Sequence, residues 1–183
     1  MKILLRLIKN LKLKIQYIGV LFILFSFFGC FLSSSKILFY SSFEKDNKPS
    51  IENWIVNDTS EIEFSKDVPA NSSGFSLYIK GIWGPPLKIV TAVPAVPGFH
   101  NYRLTLMAKS DKLRGAVWFG INKDSAFTNG NLDIKSQSWT KYSLDKSFDS
   151  SKDDSIYIYL KGGFSELLKG GVYFDDVTLE ETD

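Results

Sequence analysis

Cysteine and histidine are almost absent from this sequence, whose 183 residues include one of each. A single cysteine excludes an intrachain disulfide and a zinc site built from several thiolates. A single histidine excludes a histidine-rich metal cluster. Prolines are also few, six in all, and the chain is 44% hydrophobic and 23% charged. This is the composition of a globular domain and not of a disordered or collagen-like chain.

Positive charge is not in excess once the N-terminus is set aside. Five of the 22 basic residues lie before residue 30, where there is no acidic residue. The remaining 17 basic residues face all 20 acidic residues, so the rest of the chain has a net charge of −3. Nucleic-acid binding requires a basic patch on the folded surface. We therefore exclude that class of function.

The N-terminal residues have the pattern of a signal segment. An apolar run from Tyr17 to Gly29 follows the basic stretch, which suits the core of a signal peptide and is short for a membrane-spanning helix. The run ends at Cys30 and resembles a bacterial lipoprotein signal, whose cysteine takes up a diacylglycerol and whose new amino terminus takes up an acyl chain such as palmitate. The resemblance implies a signal peptide over 1–29, a lipid anchor on Cys30, a short tether over 30–36, and a place at the bacterial cell envelope outside the cytoplasm. The alternative is an uncleaved signal anchor.

The remainder, residues 37–183, has the pattern of an all-β domain. Short runs of alternating apolar and polar residues are broken by turn residues, and no amphipathic helical period exceeds about two turns. The alternation predicts nine strands, near 37–42, 62–65, 75–79, 87–93, 102–108, 116–121, 140–144, 156–161 and 172–179. So many short strands predict two packed antiparallel sheets, a β-sandwich or jelly roll.

Five short motifs follow one another along this domain. They are Phe43-Glu44 followed by Asn53-Trp54, Gly74-Phe75-Ser76-Leu77-Tyr78-Ile79, Pro97-Gly98 with the run from Tyr102 to Lys109, Ser138-Trp139-Thr140-Lys141-Tyr142, and the run from Gly171 to Leu179. In this order they resemble carbohydrate-binding modules of the family 4 and 9 type, which are galactose-binding-like β-sandwiches. The resemblance implies that Trp54 and Trp139 pack in the core.

Two acidic residues are candidates for a metal site. Period-two alternation places Asp175 in phase with the core-like residues Val177 and Leu179, and Asp176 on the opposite face. In the modules that the sequence resembles, the matching aspartate and the glutamate of the Phe-Glu motif help to bind a structural calcium, which implies Asp175 and Glu44 here. The alternative is that Asp175 caps backbone amides of a neighbouring strand and Glu44 lies in solvent.

Four residues are candidates for binding a glycan on the outer face of a sheet. The core-like residues of three strands leave Trp118, Tyr157, Tyr159 and Arg103 on the opposite face, and the four lie together if these strands are neighbours in one sheet. An exposed ring packs against the C–H face of a pyranose, and arginine and hydroxyl groups bind its rim. Strand pairing by itself also favours tyrosine and tryptophan, which is the alternative.

Trp83 is a further candidate for ligand binding. It stands between glycine and proline in Gly81-Ile82-Trp83-Gly84-Pro85-Pro86, and a ring in such a loop can project from the rim of a sandwich. The alternative is that this ring folds back and closes the end of the core.

Catalysis lacks a recognisable set of residues. Asp175 and Asp176 point to opposite faces and cannot act together as the carboxylate pair of a glycosidase. The sequence has no GxSxG motif, and His100 is predicted to be a solvated turn residue. The resemblance and the site pattern therefore predict a non-catalytic, lipid-anchored envelope protein that binds polysaccharide or glycan. The alternative is a surface adhesion or envelope scaffold protein that binds protein partners and no sugar.

Overall fold

Strands make up almost all of the regular structure. The computed structural model describes residues 35–72, 74–81, 89–121, 131–163 and 169–182. Its strands are β1 (Lys36–Ser41), β2 (Glu44–Lys45), β3 (Lys48–Pro49), β4 (Ile55–Val56), β5 (Ile62–Ser65), β6 (Ser76–Lys80), β7 (Ile89–Pro94), β8 (Gly98–Asp111), β9 (Gly115–Ile121), β10 (Leu132–Ile134), β11 (Thr140–Ser150), β12 (Ser155–Lys161) and β13 (Gly171–Glu181). A short 3-10 turn, Thr59–Glu61, precedes β5.

The longer strands form two antiparallel sheets. Sheet I has the order β11-β8-β13-β6-β5, and β1 pairs with the second half of β13. Sheet II has the order β10-β9-β12-β7-β4. From β6 onward the chain passes repeatedly from one sheet to the other, as in a jelly roll. The all-β sandwich predicted from the alternation is confirmed.

The core lies between the two sheets and follows the predicted alternation. Val117 and Phe119 of β9 and Ile158 of β12 are fully buried on sheet II, and Leu104 of β8 is fully buried on sheet I. The rings of Phe119 and Phe148, from opposite sheets, meet edge to face with centroids 5.8 Å apart. Each fully buried side chain of this size contributes about 1.5–3 kcal/mol to stability.

The two tryptophans expected in the core differ. Trp54 is 7% exposed and packs between Phe39 and Phe43, with ring centroids 5.6 Å from each. Trp139 is half-buried and lies outside the core, where its indole Nε1 donates a hydrogen bond to Asp67 Oδ1 at 3.0 Å. The core prediction is therefore wrong for Trp139, because this residue precedes β11 and is not one of its inward-facing positions.

Strands β8 and β11 are longer than predicted. They pair over eleven residues of β11, from Thr140 opposite Ala108 to Ser150 opposite Gly98. This extension includes His100, which is a half-buried strand residue and not a solvated turn residue. Its Nδ1 lies 2.6 Å from Oε1 of Glu181 and its Nε2 lies 3.0 Å from the carbonyl oxygen of Pro97.

Some predictions fall outside the described residues. These are the signal segment over 1–29, Cys30 and Trp83. Among the residues that are described, no helix has the length and apolar character needed to cross a membrane.

Candidate functional site

Three of the four predicted glycan contacts lie together on the outer face of sheet II. Trp118 of β9 is directly opposite Tyr159 of β12, and Tyr159 is opposite Val90 of β7. Val90 is in turn opposite Ile55 of β4, so the four residues form one row across four strands. With neighbouring strands about 4.8 Å apart, the row is about 14 Å long. Tyr157 stands beside it, in the next outward position of β12.

The three aromatic rings on this face differ in how much of their surface is exposed. Trp118 and Tyr157 are half-buried, whereas Tyr159 is 5% exposed. The Tyr157 and Tyr159 rings are close to parallel, with centroids 6.4 Å apart. Tyr157 is paired with Gly120 on one side and Ala92 on the other, so no large side chain stands directly beside it on either strand. Trp118 and Tyr157 therefore offer ring surface to a ligand, and Tyr159 supports them.

Arg103 does not belong to this face. It lies on β8 in sheet I, where its Nε forms an ion pair with Asp145 Oδ1 of β11 at 2.7 Å. The two residues are directly opposite each other in the register of the strands. Alternation fixes the face of a residue on its own strand but not the sheet that the strand joins. The prediction that Arg103 lies with the aromatic residues is wrong for this reason.

The charged groups beside the aromatic row come from other residues. Lys161 of β12 holds its Nζ 5.8 Å from the centre of the Trp118 ring. Arg114 and Asp133 form an ion pair of 2.7 Å at the start of β9. Asp133 is opposite Ala116, two residues from Trp118 on the same face. Lys161 follows Tyr157 and Tyr159 at intervals of two residues. The alternation of β12 is therefore enough to predict that Lys161 lies on the same outer face.

The proposed metal ligand Asp175 lies at a bulge in β13. Asp175 is opposite Met107 of β8 and Thr178 is opposite Thr105, so two residues of β13 face the single residue between them on β8. Asp176 adopts a positive φ of 48° at this point. The bulge shifts the alternation, so that Asp175 is in phase with Tyr173 on the outer face and not with Val177. The predicted shared face is therefore wrong, although Asp175 is fully buried.

The carboxylate of Asp175 is held by hydrogen bonds on both oxygens. Ser72 Oγ donates to Oδ2 at 2.9 Å, and the backbone N–H of Asp176 donates to Oδ1 at 2.8 Å. Burial raises the pKa of Asp175 to about 7, and the negative charges of Asp176 and Glu44 act in the same direction. The two hydrogen bonds oppose this shift and favour the charged form.

Glu44 supplies the second carboxylate near Asp175. Its Oε2 is buried and has no hydrogen-bond partner among the described residues. Gly74 lies against it so closely that a Cβ atom on this glycine would be 1.2 Å from Oε2. The described residues contain no group of three or more histidine, cysteine, aspartate or glutamate side chains placed to hold a metal ion. A cation here would therefore need backbone, hydroxyl or water oxygens as further ligands.

Comparison with known proteins identifies the fold. No family model and no curated protein matches this sequence. The CBM22-1 xylan-binding domain from Paenibacillus barcinonensis Xyn10C superposes with a TM-score of 0.56 at 14% identity, covering 82% of this chain and 97% of that domain. The CBM22-1-CBM22-2 tandem domain of the same protein gives 0.54 at 14% identity, covering 84% of this chain and 47% of that one.

A third similar structure is an enzyme domain. The enzymatically active domain of bacteriophage CBA120 tailspike protein 4 gives a TM-score of 0.53 at 12% identity, covering 72% of this chain and 20% of that one. The chain thus spans about half of the tandem structure and a fifth of the tailspike domain. At these identities the similarity shows the fold, which is the β-sandwich of carbohydrate-binding modules.

Proposed function

We propose that this protein is a non-catalytic glycan-binding protein whose binding site is the outer face of sheet II. The observation that carries the proposal is the pair of half-buried rings of Trp118 and Tyr157, which lie beside small residues on that face. Two rings that each pack against a sugar, with hydrogen-bonding groups beside them, suit affinities in the micromolar to millimolar range, which is a binding free energy of about −8 to −4 kcal/mol. The fold it shares with the Paenibacillus xylan-binding domain supports the class of ligand.

The position of the buried carboxylates supports a binding role over a hydrolytic one. A glycosidase needs two carboxyl groups about 5 to 10 Å apart on either side of the scissile bond. Asp175 and Glu44 are close neighbours, but Asp175 lies in sheet I and faces away from the aromatic row in sheet II. A glycan bound at Trp118 is thus on the far side of the sandwich from this pair.

We further propose that Asp175 and Glu44 hold a structural calcium. The buried Oε2 of Glu44, which lacks a hydrogen-bond partner among the described residues, fits a cation that coordinates oxygen. The Ser72 hydroxyl already contacts Asp175 and adds a third oxygen to the same place. Calcium bound there would neutralise the two carboxylates. These residues would then link β13 to β2 and to the segment before β6.

The lipid anchor on Cys30 completes the proposal. The apolar run followed by the only cysteine of the chain supports it. One acyl chain gives only marginal membrane binding, whereas the combined chains of a lipoprotein give stable anchoring. The glycan-binding domain would then lie outside the cytoplasm at the bacterial cell envelope.

A binding screen tests the proposal. The full chain in detergent micelles with calcium is applied to a glycan array, and each ligand found is measured by affinity electrophoresis with Trp118→Ala, Trp118→Phe and Tyr157→Ala. Loss of a stacking ring removes about 1 kcal/mol or more, so we expect the alanine variants to bind at least about fivefold more weakly. Trp118→Phe should retain part of the affinity. Phe99→Ala, which removes a ring that is 70% exposed elsewhere, is the matched control and should bind normally.

The other outcomes of the screen are also informative. Glycan binding that is unchanged in Trp118→Ala and Tyr157→Ala would place the site elsewhere and contradict the proposal. No glycan binding by the correctly folded wild-type protein would favour the adhesion or scaffold function.

A further inference from the structure

A separate pocket lies on the outer face of sheet I, the sheet that does not carry Trp118. It encloses about 410 Å³, which is within the range of small-molecule sites. The side chains that line it and bear on its chemistry are Asp67, Lys109, Asp111, Lys112, Gln137 and Tyr173. The aromatic row and the proposed calcium ligands make no use of this pocket.

One wall of the pocket is held in a fixed arrangement. Lys109 forms an ion pair with Asp67, whose other oxygen accepts the hydrogen bond from Trp139. The Lys109 Nζ also lies 4.6 Å from the centre of the Tyr173 ring, and its side chain is 16% exposed. The hydrogen bond from Lys109 lowers the pKa of Asp67, so this carboxylate is ionised at neutral pH. Groups held in place in this way lose little entropy when a ligand binds.

The floor of the pocket is aromatic and equally well supported. The Tyr173 ring packs against Tyr78, with centroids 4.5 Å apart. The Tyr78 hydroxyl donates a hydrogen bond to Asp111 Oδ2 at 3.1 Å. This hydrogen bond fixes the Asp111 carboxylate beside the packed rings of Tyr78 and Tyr173.

The charges around the pocket cancel. Two carboxylates, Asp67 and Asp111, face two ammonium groups, Lys109 and Lys112, so the pocket favours neither an anion nor a cation. It combines strong acceptors, strong donors, the amide of Gln137 and an aromatic surface. A ligand that uses all of these is neutral, carries several hydroxyl groups that both donate and accept, and has a C–H face for Tyr173.

We propose that this pocket binds a neutral sugar residue and is a second glycan subsite, on the opposite sheet from Trp118. The inference extends the proposed function, because it assigns the same class of ligand to a second place in the same domain. Two sites on opposite faces allow one molecule to hold two chains, or two segments of one long chain, which raises the overall avidity without new contacts at either site.

Calorimetric titration of the full chain in detergent micelles tests the second site. The probes are xylohexaose, cellohexaose and laminarihexaose, with an oligogalacturonate and a chitosan oligomer as the anionic and cationic comparisons. We expect a neutral probe to bind Trp118→Ala through the pocket. Adding Asp111→Asn to that variant should weaken the remaining binding at least about tenfold, because a charged acceptor is lost. The asparagine still accepts the Tyr78 hydrogen bond, so the fold should be retained.

Two further variants serve as a control and as a second test of the pocket. Asp149→Asn makes the same change of charge on an exposed position of β11 in the same sheet and should leave binding unchanged. Gln137→Ala removes an exposed side chain of the pocket and should weaken binding in the Trp118→Ala background even if Asp111→Asn fails to fold.

The outcomes separate this inference from the proposed function. Complete loss of binding in Trp118→Ala alone would overturn the second subsite and leave the aromatic face as the site. Binding that is lost in Asp111→Asn and Gln137→Ala but unaffected by Trp118→Ala would support the pocket and overturn the proposed function. Tighter binding of either charged oligomer than of the neutral probes would overturn the neutral-sugar assignment. Absence of binding by the wild-type protein would overturn both.

Discussion

Gly74 shows how a single residue shapes the proposed calcium site. It has a positive φ of 94° and leaves room for the Glu44 carboxylate, which a Cβ atom would displace. We expect Gly74→Ala to destabilise the protein by about 1–3 kcal/mol, through backbone strain and the displaced carboxylate. We also expect calcium to raise the melting temperature of the wild type but not that of this variant. A variant that melts normally and responds fully to calcium would contradict this role for Gly74.

The raised pKa of Asp175 predicts an unusual pH dependence of stability in the presence of a chelator. The folded protein holds a proton on Asp175 up to about pH 7, whereas an unfolded chain releases it near pH 4. Stability from this group is therefore fully present below about pH 4 and is lost as the pH rises toward 7, at about 1.4 kcal/mol per unit of pKa shift.

Denaturant unfolding from pH 4 to pH 8 measures this effect. The difference in unfolding free energy between wild type and Asp175→Asn should shrink with rising pH in chelator, because asparagine does not titrate. Millimolar calcium should abolish the loss for the wild type by replacing the proton. Parallel pH profiles for the two proteins would show that Asp175 does not titrate as the structure indicates.

Among the strands, Gly162 lies at a place where the backbones of the two sheets are in close contact. It follows β12 of sheet II, and a Cβ atom on it would lie 2.3 Å from the carbonyl oxygen of Ile79 in β6 of sheet I. These neighbours are backbone atoms and cannot rotate away. We expect Gly162→Ala to lower the unfolding free energy by about 1–3 kcal/mol. Ser155→Ala at the other end of β12 is the control, and equal stability of both variants would contradict the close approach.

Individual strands were predictable from the sequence, but their partners were not. The alternation of Val117 with Phe119, and of Ile156 with Ile158, correctly predicts which residues enter the core. Pairing between distant strands depends on the whole chain, so the alternation alone does not reveal that Arg103 lies in sheet I, apart from the aromatic residues of sheet II. The bulge at Asp175 could not be predicted from the alternation either. One extra residue in a strand moves every later side chain to the opposite face of the sheet, and no residue pattern in β13 marks its position.

Short strands were missed for a related reason. The segments β2, β3 and β4 have two residues each, too few to show any alternation. Yet β4 places Ile55 at the end of the aromatic row. The candidate face could thus be predicted for Trp118 and Tyr157 but not for the residues that extend it.

At the scale of the whole molecule, the proposed anchor depends on Cys30. We expect alkynyl-palmitate fed to expressing bacteria to label the wild-type protein, because the thiol or the new amino terminus receives acyl chains. Cys30→Ser should remain unlabelled, while Ser33→Ala, a nearby change that spares the thiol, should be labelled normally. Equal labelling of Cys30→Ser and wild type would favour the uncleaved signal anchor.

An NMR titration of the four tryptophan indole N–H signals with the best neutral oligosaccharide from the screen tests whether the outer face of sheet II binds glycan. We expect the Trp118 signal to shift on binding and the signal of Trp54, which is 7% exposed in the core, to stay in place. A ligand that binds without moving the Trp118 signal would contradict the proposal that the outer face of sheet II is the glycan-binding site.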